Sequence, residues 1–179
     1  MIDSCIIRKI IYIEEHMDAQ HLEQIDLFSK LSTRAKNALA GLLVLKNYEP
    51  GQTIVRQGTA SDGIFVLLSG DVQIVRVTES GSQVVLNQMT SGGIFGTLST
   101  IDGGTRGADC VAKTSVQAAF LKRPDFIELI QGSSTMALGF QVAIIRSMFS
   151  DIRKTNDELA TLSSLTPIEE IQLIEIDPS

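Results

Sequence analysis

Between Ile94 and Ala108 a turn built from small residues stands beside a single basic group, Arg106. Gly96 lets the backbone come close to a ligand, and the free N–H groups at the start of a short helix, expected over Thr97 to Ser99, suit an anion. Arg106 would close over that anion with its planar fork of donors. The chemistry on offer is the seating of one phosphate. In any generic β protein the same residues carry a plainer meaning: Phe95 and Leu98 fill a core, the glycines permit turns, and Arg106 is a solvated or paired surface charge.

Few other groups could do chemistry. The two histidines, His16 and His21, both precede this stretch in a polar helical segment, no serine–histidine or carboxylate pair sits in a motif, and no metal-ligand spacing occurs. Catalysis, a metal and a cofactor are therefore not expected. Cys5 and Cys110 stand far apart with no CxxC, which excludes a readable disulfide framework and suits a reducing cytoplasm. A formal net charge of −6 on 179 residues argues against direct nucleic acid binding and against anionic membranes. The apolar run Cys5 to Ile13 is split by Arg8 and Lys9 and is too short to span a bilayer, so it reads as a packed or frayed extension.

The elements that must position Arg106 follow from period. From Asp18 to Leu45 the apolar residues recur at helical spacing, and Ser32 ahead of Ala35-Lys36 reads as an N-cap, so two short helices joined near Ser29 to Ser32 are expected. Tyr48-Glu49-Pro50-Gly51 breaks that pattern. Between Thr53 and Leu121 the period shortens toward two, in the runs Thr53 to Val55, Ile64 to Leu68, Val72 to Val77, Val84 to Met89 and Val116 to Leu121, separated by glycine-bearing turns. Many short strands and no βαβ alternation predict an antiparallel sandwich, roll or jelly roll. Pro124 suits the first position of a helix, Gly132-Ser133-Ser134 interrupts it, and a long helix is expected from about Thr135 to Ser163. Its residues Leu138, Val142, Ile145, Phe149, Ile152, Asn156 and Leu159 step by four and three, the seam of a coiled coil, which predicts parallel self-association as a homodimer.

Phe95-Gly96-Thr97-Leu98-Ser99, followed by Asp102-Gly103-Gly104-Thr105-Arg106-Gly107-Ala108, resembles the phosphate cassette of cyclic nucleotide-binding domains, as found in the catabolite activator protein family and in kinase regulatory subunits. Gly51, Gly58, Gly70 and Gly92-Gly93 match that family's glycine framework, with Asp62 ahead of the strand that starts at Ile64. The resemblance covers about Leu27 to Leu162. It implies a mainly β fold with flanking helices, a double-stranded β-helix or jelly-roll-like β-roll followed by a long dimerisation helix. It also implies a phosphate held by Arg106 and by backbone amides at Leu98, Ser99 and Ala108. Thr97 stands where the family has a glutamate that accepts from the ribose, a loss of roughly 1.5–3 kcal/mol. Thr105 and Gly107 replace the proline and serine that flank the family's arginine. Thr155-Asn156 resembles the part of the long helix that reads the base, with Asp151 a competing position; Asn156 lies on the seam, where it would equally set coiled-coil register. Ile74 and Leu86 are candidates to line the ligand pocket or, as readily, the ordinary core.

The expected organisation is an N-terminal extension over residues 1–24, the β-roll with its helices over 25–130, the long helix over 131–165 and an acidic tail over 166–179. The function it implies is a stand-alone regulatory sensor, with cyclic AMP or another cyclic nucleotide as ligand. Two alternatives stay open: a ligand-free scaffold acting on an unknown protein partner, and a subunit of a transcription regulator whose winged helix-turn-helix lies elsewhere.

Overall fold

The structure, a computed structural model, describes residues 17–165. The expectations for Cys5 to Ile13, for His16 and for the tail from Thr166 fall outside those residues. Three small helical pieces come first: α1 (Ala19–Glu23), a 3-10 turn over Asp26–Phe28, and α2 (Thr33–Ala40). Ser32 caps α2 as expected, its hydroxyl accepting from the Ala35 N–H at 3.2 Å.

Helical spacing was expected to run on to Leu45, but α2 stops at Ala40 and Leu43–Tyr48 forms β1. The reason is tertiary. Leu43 pairs with Leu121 and the whole of β1 lies along β8 (Val116–Lys122), so the leucine run satisfies a sheet that lies far away in sequence.

The remaining strands are β2 (Thr53–Val55), β3 (Gly63–Ser69), β4 (Val72–Val77), β5 (Gln83–Met89), β6 (Ile94–Phe95) and β7 (Asp109–Ala112). They form two four-stranded antiparallel sheets, ordered β1-β8-β3-β6 and β2-β7-β4-β5. This is the β-roll. Phe65, Phe95 and Phe120 meet inside it, with ring centroids 5.2 Å and 4.8 Å from Phe65, among Val55, Leu67, Val72 and Val116.

The outer face of the first sheet is covered by helices. Ile64, Val66, Ala119 and Leu121 pack against Leu22, Ile25 and Phe28, and against α4 (Arg123–Gln131) and the first half of α5 (Thr135–Leu165). Phe140 of α5 stacks on Phe28 at 6.4 Å and meets Phe126 edge-on at 5.9 Å. The amide nitrogen of Gln141 lies within 3.0 Å of the Leu129, Ile130 and Gly132 carbonyls, so α5 itself closes the C-terminus of α4. From Ile145 to Ser164 no residue of α5 is fully buried, and the apolar residues Ile145, Phe149, Ile152, Leu159 and Leu162 are exposed.

Candidate functional site

Two strands set the cassette. β6 delivers Phe95 and then Gly96, whose φ of +82° turns the chain directly into α3 (Thr97–Asp102). A side chain at Gly96 would bring Cβ to 2.4 Å from Arg106 Nη1 and 3.3 Å from the Gly63 carbonyl, so only glycine leaves room for the guanidinium. Thr97 is half-buried and Leu98 is 71% exposed, while Ser99 and Thr100 face inward. Thr100 Oγ1 lies 2.7 Å from the Gly96 carbonyl and 2.9 Å from that of Gly63, and its one proton serves them. Ser61 Oγ, 2.7 Å away, therefore donates to Thr100.

Arg106 is the centre of this cluster and is only 3% exposed. Its Nη1 donates to the Gly96 carbonyl at 2.8 Å and to Ser99 Oγ at 3.1 Å; its Nη2 donates to Asp62 Oδ1 at 2.9 Å and to the Gly63 carbonyl at 2.5 Å. The guanidinium thus ties the end of β6 to the start of β3. The Asp62 side chain is 68% exposed, so a buried cation is matched by a largely solvated anion. The Arg106 backbone is fixed as well, its N–H on the Thr59 carbonyl and its own carbonyl on the Gly58 N–H, both at 2.8 Å. Nε has no acceptor among the described residues. Gly107 is exposed, Ala108 half-buried, and β7 follows.

β7 runs beside β4, which sets Ile74 opposite Cys110 and half-buried against the interior of the roll. Burial, with Asp109 in support and Arg106 in opposition, pushes the Cys110 thiol up to about 12, so it is inert at neutral pH. Leu86, on the open-edged β5, is exposed. Thr155 and Asn156 are exposed on α5, one and two residues beyond Lys154, whose Nζ reaches Asn87 Oδ1 and the Gln88 carbonyl.

The structure therefore brings Gly96, Ser99 and Arg106 into one bonded cluster, with Thr97, Leu98, Gly107 and Ala108 at its edge. It leaves Thr155, Asn156 and Leu86 on the surface. Sequence reasoning missed Gly63, Ser61 and Thr100, and took Asp62 only as part of the framework. The sequence signal was Asp62-Gly63 immediately before an apolar strand, together with a Ser-Thr pair inside the short helix.

Residues 45–133 match the model of the cyclic nucleotide-binding domain. The cAMP-dependent protein kinase regulatory subunit of Yarrowia lipolytica is 29% identical over 133 residues, which are 72% of this chain and 35% of that protein. The chain thus spans about a third or less of the length of the curated relatives it matches. Among solved structures, a cyclic nucleotide-binding domain from Methylobacillus flagellatus shares the fold with a TM-score of 0.70, at 20% identity and 80% coverage of each chain. The catabolite activator protein of Thermus thermophilus is 26% identical with a TM-score of 0.64, covering 76% of this chain and 62% of that one. The β-roll, the glycine-framed arginine and these matches agree: residues 45–133 of the chain are a domain of the cyclic nucleotide-binding family.

Proposed function

We propose that this protein is a cytoplasmic regulatory sensor that binds a cyclic nucleotide of the cyclic AMP type and signals through α5. The observation that carries the reading is the Arg106 guanidinium, held between Gly63 and Gly96 at the start of α3. The phosphate would take the Arg106 Nε–H and share its Nη1 with Ser99, and the backbone amides of Leu98, Ser99 and Ala108 would complete the seat. Ile74 would line the sugar or base, and Thr155, Asn156 or Asp151 would meet the base from the helix. Ligand touching both roll and helix would supply the differential affinity that a switch needs.

Thr97 sets the expected strength. Without a carboxylate for the ribose hydroxyl, affinity falls by about ten- to a hundredfold. Calorimetry with cyclic AMP, cyclic GMP and cyclic dinucleotides tests the reading: Thr97→Glu should tighten the binding of the preferred nucleotide by that factor, and Arg106→Lys should weaken it. Heat-free titrations at millimolar nucleotide for both the native chain and Thr97→Glu would overturn it.

A second reading, that of a scaffold acting through protein contacts, is favoured by the exposed seam of α5. Leu138, Val142, Ile145, Phe149, Ile152, Leu159 and Leu162 all stand about half open to solvent or more. In both readings the seam supports a parallel homodimer. Light scattering coupled to size exclusion should give twice the chain mass, and Phe149→Glu should return it to one. A monomeric native chain at tens of micromolar would remove the dimer from both readings. Binding of duplex DNA at low salt would favour instead a transcription-regulator subunit.

A further inference from the structure

Gly132-Ser133-Ser134, between α4 and α5, has the composition of a hinge, because small residues at the end of an element readily absorb a change in backbone angles. The structure locks this link instead. From the second turn of α5, the Gln141 amide nitrogen reaches back to the carbonyls of Leu129, Ile130 and Gly132 at 3.0, 3.0 and 2.8 Å. Ser134 closes the other side: its carbonyl accepts from the Leu138 N–H at 2.9 Å and its hydroxyl from the Ala137 N–H at 3.1 Å. Gly132 has no spare room, since a Cβ there would lie 2.9 Å from the Ala137 Cβ and from the Glu128 carbonyl. Phe126 of α4 and Phe140 of α5 meet edge-on across the same junction. A change in the angle between the two helices would break these contacts together.

The start of α4 is held differently. β8 runs into it without a linker, and Lys122, at the N-cap, makes no side-chain cap. Arg123 takes up the connection: its N–H donates to the Asp62 carbonyl at 2.8 Å, and its Nε to the Thr100 carbonyl at 3.2 Å. Thr100 lies in the last turn of α3, where a helix leaves carbonyls without partners, so Arg123 holds α3 at the end opposite Gly96. Its guanidinium passes Gly103 closely, a Cβ there lying 3.3 Å from Nη2. Asp62 is in turn the ion-pair partner of Arg106. Both of these bonds of Arg123 therefore end on the cassette cluster.

Building on the nucleotide reading above, we infer that α4 and α5 answer the ligand as one rigid lever, joined to the cassette by Arg123 as its positioning residue. The moving joint is then the start of α4 and not Gly132-Ser133-Ser134. A phosphate that draws on Arg106 and on the first amides of α3 resets that short helix and the Asp62 pair, and both reach Arg123 directly. From there the two helices turn together, because the Gln141 clasp leaves their junction no freedom.

Pulsed dipolar spectroscopy on the full chain provides the test, with spin labels on introduced cysteines in a Cys5→Ser background, Cys110 being buried, and labelled chain diluted into unlabelled. One pair spans roll and lever, Lys113→Cys with Ser150→Cys; the other lies within the lever, Glu128→Cys with Ser150→Cys; all three positions are exposed. Saturating cyclic AMP, or cyclic GMP where calorimetry shows that it binds better, should shift the first distance and leave the second where it was. Arg123→Gln should still bind nucleotide in calorimetry but lose the shift, and Arg123→Lys, which keeps a donor for the Thr100 carbonyl, should restore part of it. Nucleotide binding accompanied by a change in the second distance, by no change in the first, or by a full shift in Arg123→Gln would overturn the lever alone. Absence of binding heat with every cyclic nucleotide would overturn the nucleotide reading and the lever with it.

Discussion

Two arginines of this chain handle their charge in opposite ways. Arg106 is sealed among two carbonyls, a hydroxyl and a carboxylate, whereas Arg146 is exposed on α5 with no side-chain partner among the described residues. The first works as a cross-brace whether or not a ligand is present; the second has no such structural duty. A charge that is part of the fold cannot be removed to test binding alone, and a charge that is not can be. This is why conservative changes suit the cassette and truncations suit the exposed helix.

The comparison can be broken most forcefully at Arg106. Arg106→Ala leaves the Gly63 and Gly96 carbonyls to share the single Thr100 hydroxyl proton and opens a void, and should cost about 3 kcal/mol or more, at about 1–3 kcal/mol for a buried acceptor left unsatisfied. Urea unfolding followed by circular dichroism measures it; a loss under 1 kcal/mol would mean that the brace carries no stability. Gly96→Ala should cost about 1–3 kcal/mol through its left-handed backbone and the clash with Nη1, read in the same way.

The gentlest test concerns pH at Asp151, half-buried on α5. An Asp151 carboxyl raised above its unfolded value binds protons in the folded state that the unfolded chain has already released. Its contribution to stability therefore falls as pH rises from near 4 through the raised pKa, and then levels off. Asp151→Asn should flatten that limb of the stability curve and be slightly more stable than the native chain at pH 7. Identical curves for the two proteins would show that the carboxyl is not strained.

Much of this was legible before any coordinates. The strand runs with glycines between them, the caps at Ser32 and Pro124, and the long helix from Thr135 are local signals, and they became the elements expected. Where pairing is distant the sequence misled. Leu39, Leu42 and Leu43 keep helical spacing even though Leu43 belongs to a strand, because its partner Leu121 is remote. β6 and β7, of two and four residues, are too short to show a period. The direction of Arg106 was hidden for the same reason: Asp62 and Gly63, which turn it inward, lie more than forty residues earlier. In α5, nothing local says which face meets the roll.

The Gln141 clasp on the last carbonyls of α4 limits how this segment can change in length. One residue gained or lost between Ala137 and Gln141 would swing the amide about 100° around the helix axis, away from Leu129, Ile130 and Gly132. The same step would carry Phe140 out from between Phe28 and Phe126. Insertions and deletions across the α4–α5 junction are therefore barred, whereas beyond Lys154 the helix can lengthen or shorten without disturbing either the clasp or the roll.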